Sequence, residues 1–548
     1  MQALRADTKY LDPGINTVLA MKKLVILLSC FLAVLACNKE QNKEQDVVSD
    51  NLQVFERPVI TASSEGQVTK ATLDAADLSG NCDMLWSLGD QIGVHVYSGT
   101  AVGTDNYGTE NTSWTLAAAD AGKKSGSFSA DSPIDGSKNY AYAAYYPFDT
   151  HNIGGDARFY CAYKNSYDGY VPGRIISPMV ANMNADALGL ERKSTNIALK
   201  HVGATVKITL NNVPAEANKL VLTISNNNIT GWGSIDPADA GTASIAPSGL
   251  SEGGGIAVSH SITLNFANGA DARDGLVFYF PVPVLTTPAI QLDLYGYDDV
   301  HIWTKSAAKN QPSVGRGEIL AMPALTVTPR LVYVLNNDVQ SWGSSRNLYV
   351  YEGGSHYGPA FPGVWAASSE IISGNSYYKF VLPIEAEGHT CTFVFNKGES
   401  GYQVDLPSAM VSSTPLYYRT NGIDVITVAD PASPGPLSTA KRIWVWSPDA
   451  TSIGIHTFDG TATGTSWESV RSMVRSTAQH GSTYWYSYDV PAADQDKTTK
   501  MVFRIGYYVN PYSNQTTDVD LITLNKSYYY KTGAAGGDGK YSWTKFDW

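Results

Sequence analysis

Charge is scarce in this chain of 548 residues: Asp, Glu, Lys and Arg make up only 16%, and the formal net charge is -12. Neutralising phosphates takes clustered Lys and Arg, so a nucleic-acid binder working through basic patches is excluded. Cysteine is equally sparse. Of five, Cys30 and Cys37 lie in an N-terminal apolar run, which leaves Cys82, Cys161 and Cys391. Three thiols allow one disulfide within a chain at most, so no disulfide framework holds the fold. Beyond residue 37 no apolar run is long enough to be a spanning helix, and helical periodicity is almost missing throughout.

Catalytic motifs are missing as well. The histidines form no H-E-x-x-H, and no C-x-x-C occurs, so neither a metal nor another cofactor is expected. Gly249-Leu250-Ser251-Glu252-Gly253 has the spacing of a nucleophile elbow, but Gly254 and Gly255 follow where a helix is required, and the stretch reads as a turn. No glycine loop precedes a helix to cradle phosphate. The 51 acids offer many carboxylate pairs that only geometry could sort, and no stretch reads as a hydrolase barrel. The expectation is a protein that is not an enzyme.

What the chain does contain is 33 tyrosines, 49 glycines and many short alternating apolar runs, the pattern of an all-β protein. Its length allows three to five domains. A stretch at 331–422 is written again at 442–533, a period of about 110 residues and the size of one β-sandwich. LVYVLNND answers to IWVWSPD, NLYVYEGG to GIHTFDG, SYYKFVLP to YWYSYDVP, TFVFNKG to KMVFRIG, and LYYRTNG to YYYKTG, in the same order.

Successive strand side chains point to opposite faces. Val332, Val334, Leu348 and Val350 are therefore expected in a core, with Tyr333, Tyr349 and Tyr351 facing away; in the second copy Ile443 and Val445 point in and Trp444 and Trp446 out. Rings on the outer face of a sheet suit a sugar, whose C–H face is apolar, while amides such as Gln403 and Gln515 would catch hydroxyls. The same rings could equally cover the core, as in any sandwich rich in Tyr and Trp.

The ordered pieces VY, Trp342, LYVY, FPG, YYKFVLP, VFN and Q-x-DL resemble the family 26 starch-binding module, closely over 331–422 and more loosely over 442–548. The resemblance implies an α-glucan ligand gripped by Tyr333, Trp342, Tyr349 and Tyr351. In the second copy Ile453 stands for the Trp, and His456 and Phe458 for the two Tyr, with Trp444 and Trp446 as candidate substitutes.

Met21 opens MKKLVILLSCFLAVLAC, a signal peptide by its lysines, apolar run and small residues. It resembles a bacterial lipoprotein signal, which implies lipidation of Cys37, with palmitate among the acyl chains, and an outer-membrane anchor at the cell surface; residues 1–20 would precede the true start. The polar stretch after Cys37 reads as a solvated tether.

From residue 55 to 328 an ordered series resembles the fimbrillin family, the lipoprotein subunits of type V pili: Thr69 to Leu73, Trp86 with Gly89, Asp90 and Ile92, Tyr145-Tyr146-Pro147, Pro178-Met179, and Lys200-His201. The family fold implies two transthyretin-like sandwiches. Its assembly implies donor-strand exchange with other subunits after trimming at a basic residue, for which Arg57 and Lys70 are the candidates. His201 alone reads as a packing residue at a domain junction, and GLVFYFPVPV as a strand buried on both faces.

The expected architecture is thus all-β, a string of four β-sandwich domains: signal to residue 36, tether 37–54, fimbrillin-like domains 55–193 and 194–328, starch-binding-like modules 329–428 and 442–548, and a Pro-rich spacer 429–441. The expected partners are α-glucan or another polysaccharide, other fimbrillin subunits, and the outer membrane through lipid, but no nucleic acid. Three functions remain open on these grounds: an adhesive pilus subunit that binds carbohydrate without altering it, a surface glycan-capture lipoprotein that never polymerises, and a purely structural pilus subunit.

Overall fold

A computed structural model describes residues 55–56, 59–64, 68–71, 85–98, 111–131, 134–135, 140–150, 159–175, 177–181, 194–235, 247, 256–269, 272–336, 345–366, 368–398, 401–434, 441–466, 470–506, 514–537 and 540–546. The signal stretch with Cys37, the tether, Arg57, the turn from Gly249 to Gly253 and Trp342 lie outside them. The described residues belong to one compact unit, Phe55–Trp548. Among them strands are joined by turns and single-turn 3-10 segments, with no α-helix. The chain is all-β.

Seven strands close into a barrel in the order Met179–Ala181, Ser194–His201, Val59–Ser64, Ser125–Ala130, Thr112–Leu116, Gln91–Ser98 and Tyr140–Tyr146. Alternation fills it with Ile60, Val94, Val96, Trp114, Phe128 and Leu199, all fully buried. The boundary expected at residue 193 is corrected by this ladder. Ser194–His201 runs parallel to Val59–Ser64 inside the barrel, and the chain leaves only at Val202 and Gly203. A Cβ on Gly203 would lie 2.1 Å from the Tyr163 hydroxyl and 2.3 Å from the Val282 carbonyl, so the crossing tolerates no side chain. His201 is buried just before it, with Nδ1 2.8 Å from the Ser177 hydroxyl.

The second body has one sheet ordered Ser166–Tyr170, Ser261–Phe266, Lys219–Ile224, Ile290–Tyr295 and His301–Ser306. Its other sheet is ordered Leu276–Val282, Ala204–Asn211, Glu318–Ala321 and Val68–Ala71. Two strands from before residue 193 thus complete it, and the two N-terminal bodies interleave. Leu276–Val282 is an edge strand: Phe278 and Phe280 are buried while Val277 and Tyr279 are half-buried, so burial on both faces, expected from its apolar run, does not hold.

The two copies of the repeat share a ladder. Arg330–Asn336 runs antiparallel to Asn375–Leu382 and parallel to Leu416–Thr420. Arg442–Trp446 does the same with Thr483–Asp489 and Tyr528–Ala535. The facing sheet pairs Asn347–Glu352 with Thr390–Asn396 in the first copy and Ile453–Phe458 with Thr498–Ile505 in the second. Val332, Val334, Leu348, Val350, Phe393 and Phe395 form the first core. Ile443, Val445, Ile455 and Phe503 form the second.

The two copies pack against each other, where a spacer at 429–441 would hold them apart. Trp444, Ala478, Trp485 and Tyr529 of the second copy join the core cluster of the first. At this seam the Trp444 indole N–H and the Tyr529 hydroxyl both donate to Asp424 Oδ2, at 3.0 and 2.8 Å. A second seam joins the first copy to the preceding body, where Val381 enters that body's core and Ser368 donates to Glu216. There His301 lies between two carboxylates, Nδ1 at 2.7 Å from Glu385 and Nε2 at 3.2 Å from Asp293 though off the line of a hydrogen bond.

Both seams are testable. Asp424→Ala strands two buried donors and should cost about 2–4 kcal/mol, seen as a lower denaturant midpoint by tryptophan fluorescence, whereas Asp424→Asn keeps an acceptor and should cost less. Burial pulls the His301 pKa down, but Asp293 and Glu385 more than reverse this and hold it above its ordinary 6.5. A raised pKa means that the imidazolium's contribution is complete below 6.5 and is lost as pH rises through the folded value. Melting temperature should therefore fall on that rise in the wild type more than in His301→Gln.

Candidate functional site

Strand Asn347–Glu352 builds the site by alternation. Leu348 and Val350 are fully buried in the core, so Tyr349 and Tyr351 emerge on the outer face of the sheet, each half-buried. Their rings stack with centroids 5.8 Å apart at 25°. His356, opposite Tyr351 on the next strand, adds an exposed ring 6.0 Å from Tyr349 at 26°. Phe361, 41% exposed, meets Tyr349 edge-on at 5.9 Å.

The loop carrying Phe361 is pinned to that strand. The Asn396 amide donates to the Pro362 carbonyl at 3.0 Å. Gly363, at φ 91°, comes so close that a Cβ there would lie 2.3 Å from the Leu348 carbonyl and 2.5 Å from Tyr349 Cα. Only glycine fits such a contact and such a φ.

Polar groups flank the rings. Val394 stands opposite Tyr349, and Asp405 opposite Val394; Gln403 stands opposite Asn396. Asp405 and Gln403 are half-buried and share the outer face, since Val404 and Leu406 between and beyond them are in the core. Thr392, opposite Tyr351, shares a hydrogen bond of 2.8 Å with the Ser408 hydroxyl. Burial raises the Asp405 pKa. Burial raises that of Tyr351 too, and the charge of Asp405 adds to it. The result is a shallow face with stacked apolar rings along one side and a carboxylate, an amide and hydroxyls along the other. That chemistry fits a polyol with an apolar ring face.

The other expected site residues are dispersed. Tyr333 lies on the far sheet and is 5% exposed, stacked on Tyr417 at 5.0 Å and donating to Glu370 at 2.8 Å. It covers the core and presents no ring to a sugar. Trp444, on the expected face, is 4% exposed because the seam covers it. Trp446 is half-buried, edge-on to His480 at 4.7 Å, with its N–H on the His480 carbonyl. His456 and Phe458 repeat the stacked pair at 5.3 Å and 17°, but His456 is 2% exposed and bonded to Thr465 at 2.6 Å. Gln515 is 9% exposed, on a strand between Thr498–Ile505 and Lys540–Phe546. The second copy thus keeps the ladder of the first and buries His456, the counterpart of Tyr349.

No model of a known protein family matches the chain, and no curated protein sequence matches it. Among solved structures, a Bacteroides uniformis protein provisionally named a cell-adhesion protein is 16% identical, with 49% of this chain and 93% of that one covered at a TM-score of 0.30. A fimbrial protein from Bacteroides ovatus is 13% identical over 51% of this chain and 52% of its own, at 0.24. A family 26 carbohydrate-binding module of Amy13K from Eubacterium rectale, solved with maltoheptaose, is 14% identical over 40% of this chain and 97% of its own, at 0.15. At these scores the likenesses assign no family.

Sequence reasoning missed His356, Phe361, Thr392 and Asp405. Phe361 and Asp405 sit in the FPG and Q-x-DL pieces already singled out, and the turn at Gly353 and Gly354 marks where His356 returns beside Tyr351. Among the described residues no group of three or more His, Cys, Asp or Glu could hold a metal ion. The buried and half-exposed rings should separate in a stability assay: Tyr333→Ala is expected to cost about 3 kcal/mol and Tyr349→Ala under about 1 kcal/mol, read as shifts in denaturant midpoint.

Proposed function

We propose that this chain is a cell-surface protein that binds carbohydrate, an α-glucan by preference, and does not alter it. The carrying observation is the outer face of the sheet at Tyr349, Tyr351 and His356, where rings lie near-parallel and open to solvent beside Asp405 and Gln403. Preformed rings lose little entropy on binding, and a shallow face of this kind gives weak, reversible capture. The second module supports the first through the Asp424 seam, and among its described residues the matching pair is closed at His456.

The resemblance of residues 55–328 to fimbrillins, and of the sequence at Cys37 to a lipoprotein signal, supports a carrier anchored by lipid in the outer membrane. Polymerisation has one specific observation behind it. Strand Val68–Ala71 closes a sheet edge beside Glu318–Ala321, and cutting after Lys70 within it would free that edge for a strand from another subunit.

Affinity electrophoresis in gels with and without amylopectin tests the binding. Retardation of the wild type, lost in the double variant Tyr349→Ala with Tyr351→Ala and retained in Trp446→Ala and Phe458→Ala, is the expected result. A wild type that migrates unretarded through amylopectin, glycogen and dextran would sink the α-glucan reading.

A further inference from the structure

The ring face does not end at Tyr349. Strand Val364–Trp365 pairs with the same strand that carries the tyrosines, Val364 opposite Leu348 and Trp365 opposite Asn347. Residues opposite one another share a face. Val364 is in the core with Leu348, so Trp365 emerges on the outer face with Tyr349, two residues further along the strand. It is 47% exposed, among the most exposed aromatic side chains in the described residues.

Trp365 has a partner from outside the module. Tyr297, in the turn Tyr297–Asp299 of the preceding body, meets it edge-on at 5.8 Å and 67°, and is itself 37% exposed. Both rings line one small hollow with Glu216, Val300, Val364 and Val381. Glu216 is 6% exposed; one of its oxygens accepts from Ser368 at 3.2 Å and the other has no hydrogen-bond partner. Two exposed rings repeat the apolar half of the Tyr349 platform's chemistry, a surface on which a pyranose face can stack, while Glu216 is closed off below the surface.

Resting on the carbohydrate reading above, we propose that the exposed ring pair of Trp365 and Tyr297 forms a second sugar subsite at the seam. The bound carbohydrate is then a chain of hexose units that runs from Tyr351 past Tyr349 and onto the preceding body. The occupant is the continuation of the chain held at the platform, because Trp365 is paired to the strand that carries Tyr349 and Tyr351, on the same face and two positions beyond Tyr349. This also gives the seam a role in selectivity. Short oligosaccharides meet only the platform, whereas long ones span both bodies, and only while the seam is closed.

Calorimetric titration of the chain comprising residues 38–548 with maltotriose and with maltoheptaose tests this. Trp365→Ala and Tyr297→Ala should each weaken maltoheptaose binding about threefold to tenfold and leave maltotriose unchanged, with Trp365→Tyr close to wild type. Tyr349→Ala with Tyr351→Ala should remove both ligands. If both seam variants bind maltoheptaose as the wild type does while the platform variant binds neither, the subsite is wrong and the platform stands. If the wild type binds neither sugar, both readings fall. Melting temperatures of the variants separate a lost ring from an opened seam: equal loss of maltotriose and maltoheptaose, with a lower melting temperature, would overturn the subsite.

Discussion

A strand has two faces, and in this chain nearly every consequence follows from what covers the second one. Strand Asn347–Glu352 puts Leu348 and Val350 into a core, which forces Tyr349 and Tyr351 out together. The same alternation forces Tyr333 out of its sheet, Trp444 out of its own, and His456 with Phe458 out of theirs. These rings are chemically alike at the level of pattern. Their fates differ because neighbouring chain buries some of them and leaves others open.

The coverings are specific. Tyr333 is packed among Tyr377 and Tyr417, with its hydroxyl on Glu370. Trp444 is closed by the adjacent module through a carboxylate that accepts two buried donors. His456 is capped by Thr465. Around Tyr349, in contrast, the nearby loop passes close to the strand at Gly363, setting Phe361 edge-on to Tyr349 and Trp365 opposite Asn347. One strand thus stays open because its loop approaches from the side, and this openness is what the proposed binding face rests on.

The seams matter for the same reason. Packing through Asp424 makes the second module a structural partner of the first, and His301 between Asp293 and Glu385 ties the first to the body before it. Here surfaces from successive bodies meet, so that Tyr297 can stand beside Trp365.

Much of this was legible in the sequence. The repeat, its order of strands, the all-β class and the inward and outward sets of strand 347–352 all follow from period-two alternation, a local property of strands. Tyr349, Tyr351 and Gln403 were legible as candidates on the same ground, whereas Trp444, His456, Gln515 and Tyr333 were candidates by the identical argument and are buried. Alternation tells which way a side chain points from its own sheet and carries no information about what another segment lays over it. The same limit accounts for the boundary at residue 193, since strands Val68–Ala71, Ser166–Tyr170 and Ser194–His201 look alike in sequence whichever body they complete. Local pattern thus determined the strands and their two faces. Burial depends on contacts between residues far apart in the chain, and only the tertiary structure decided which outward rings remained open to a ligand.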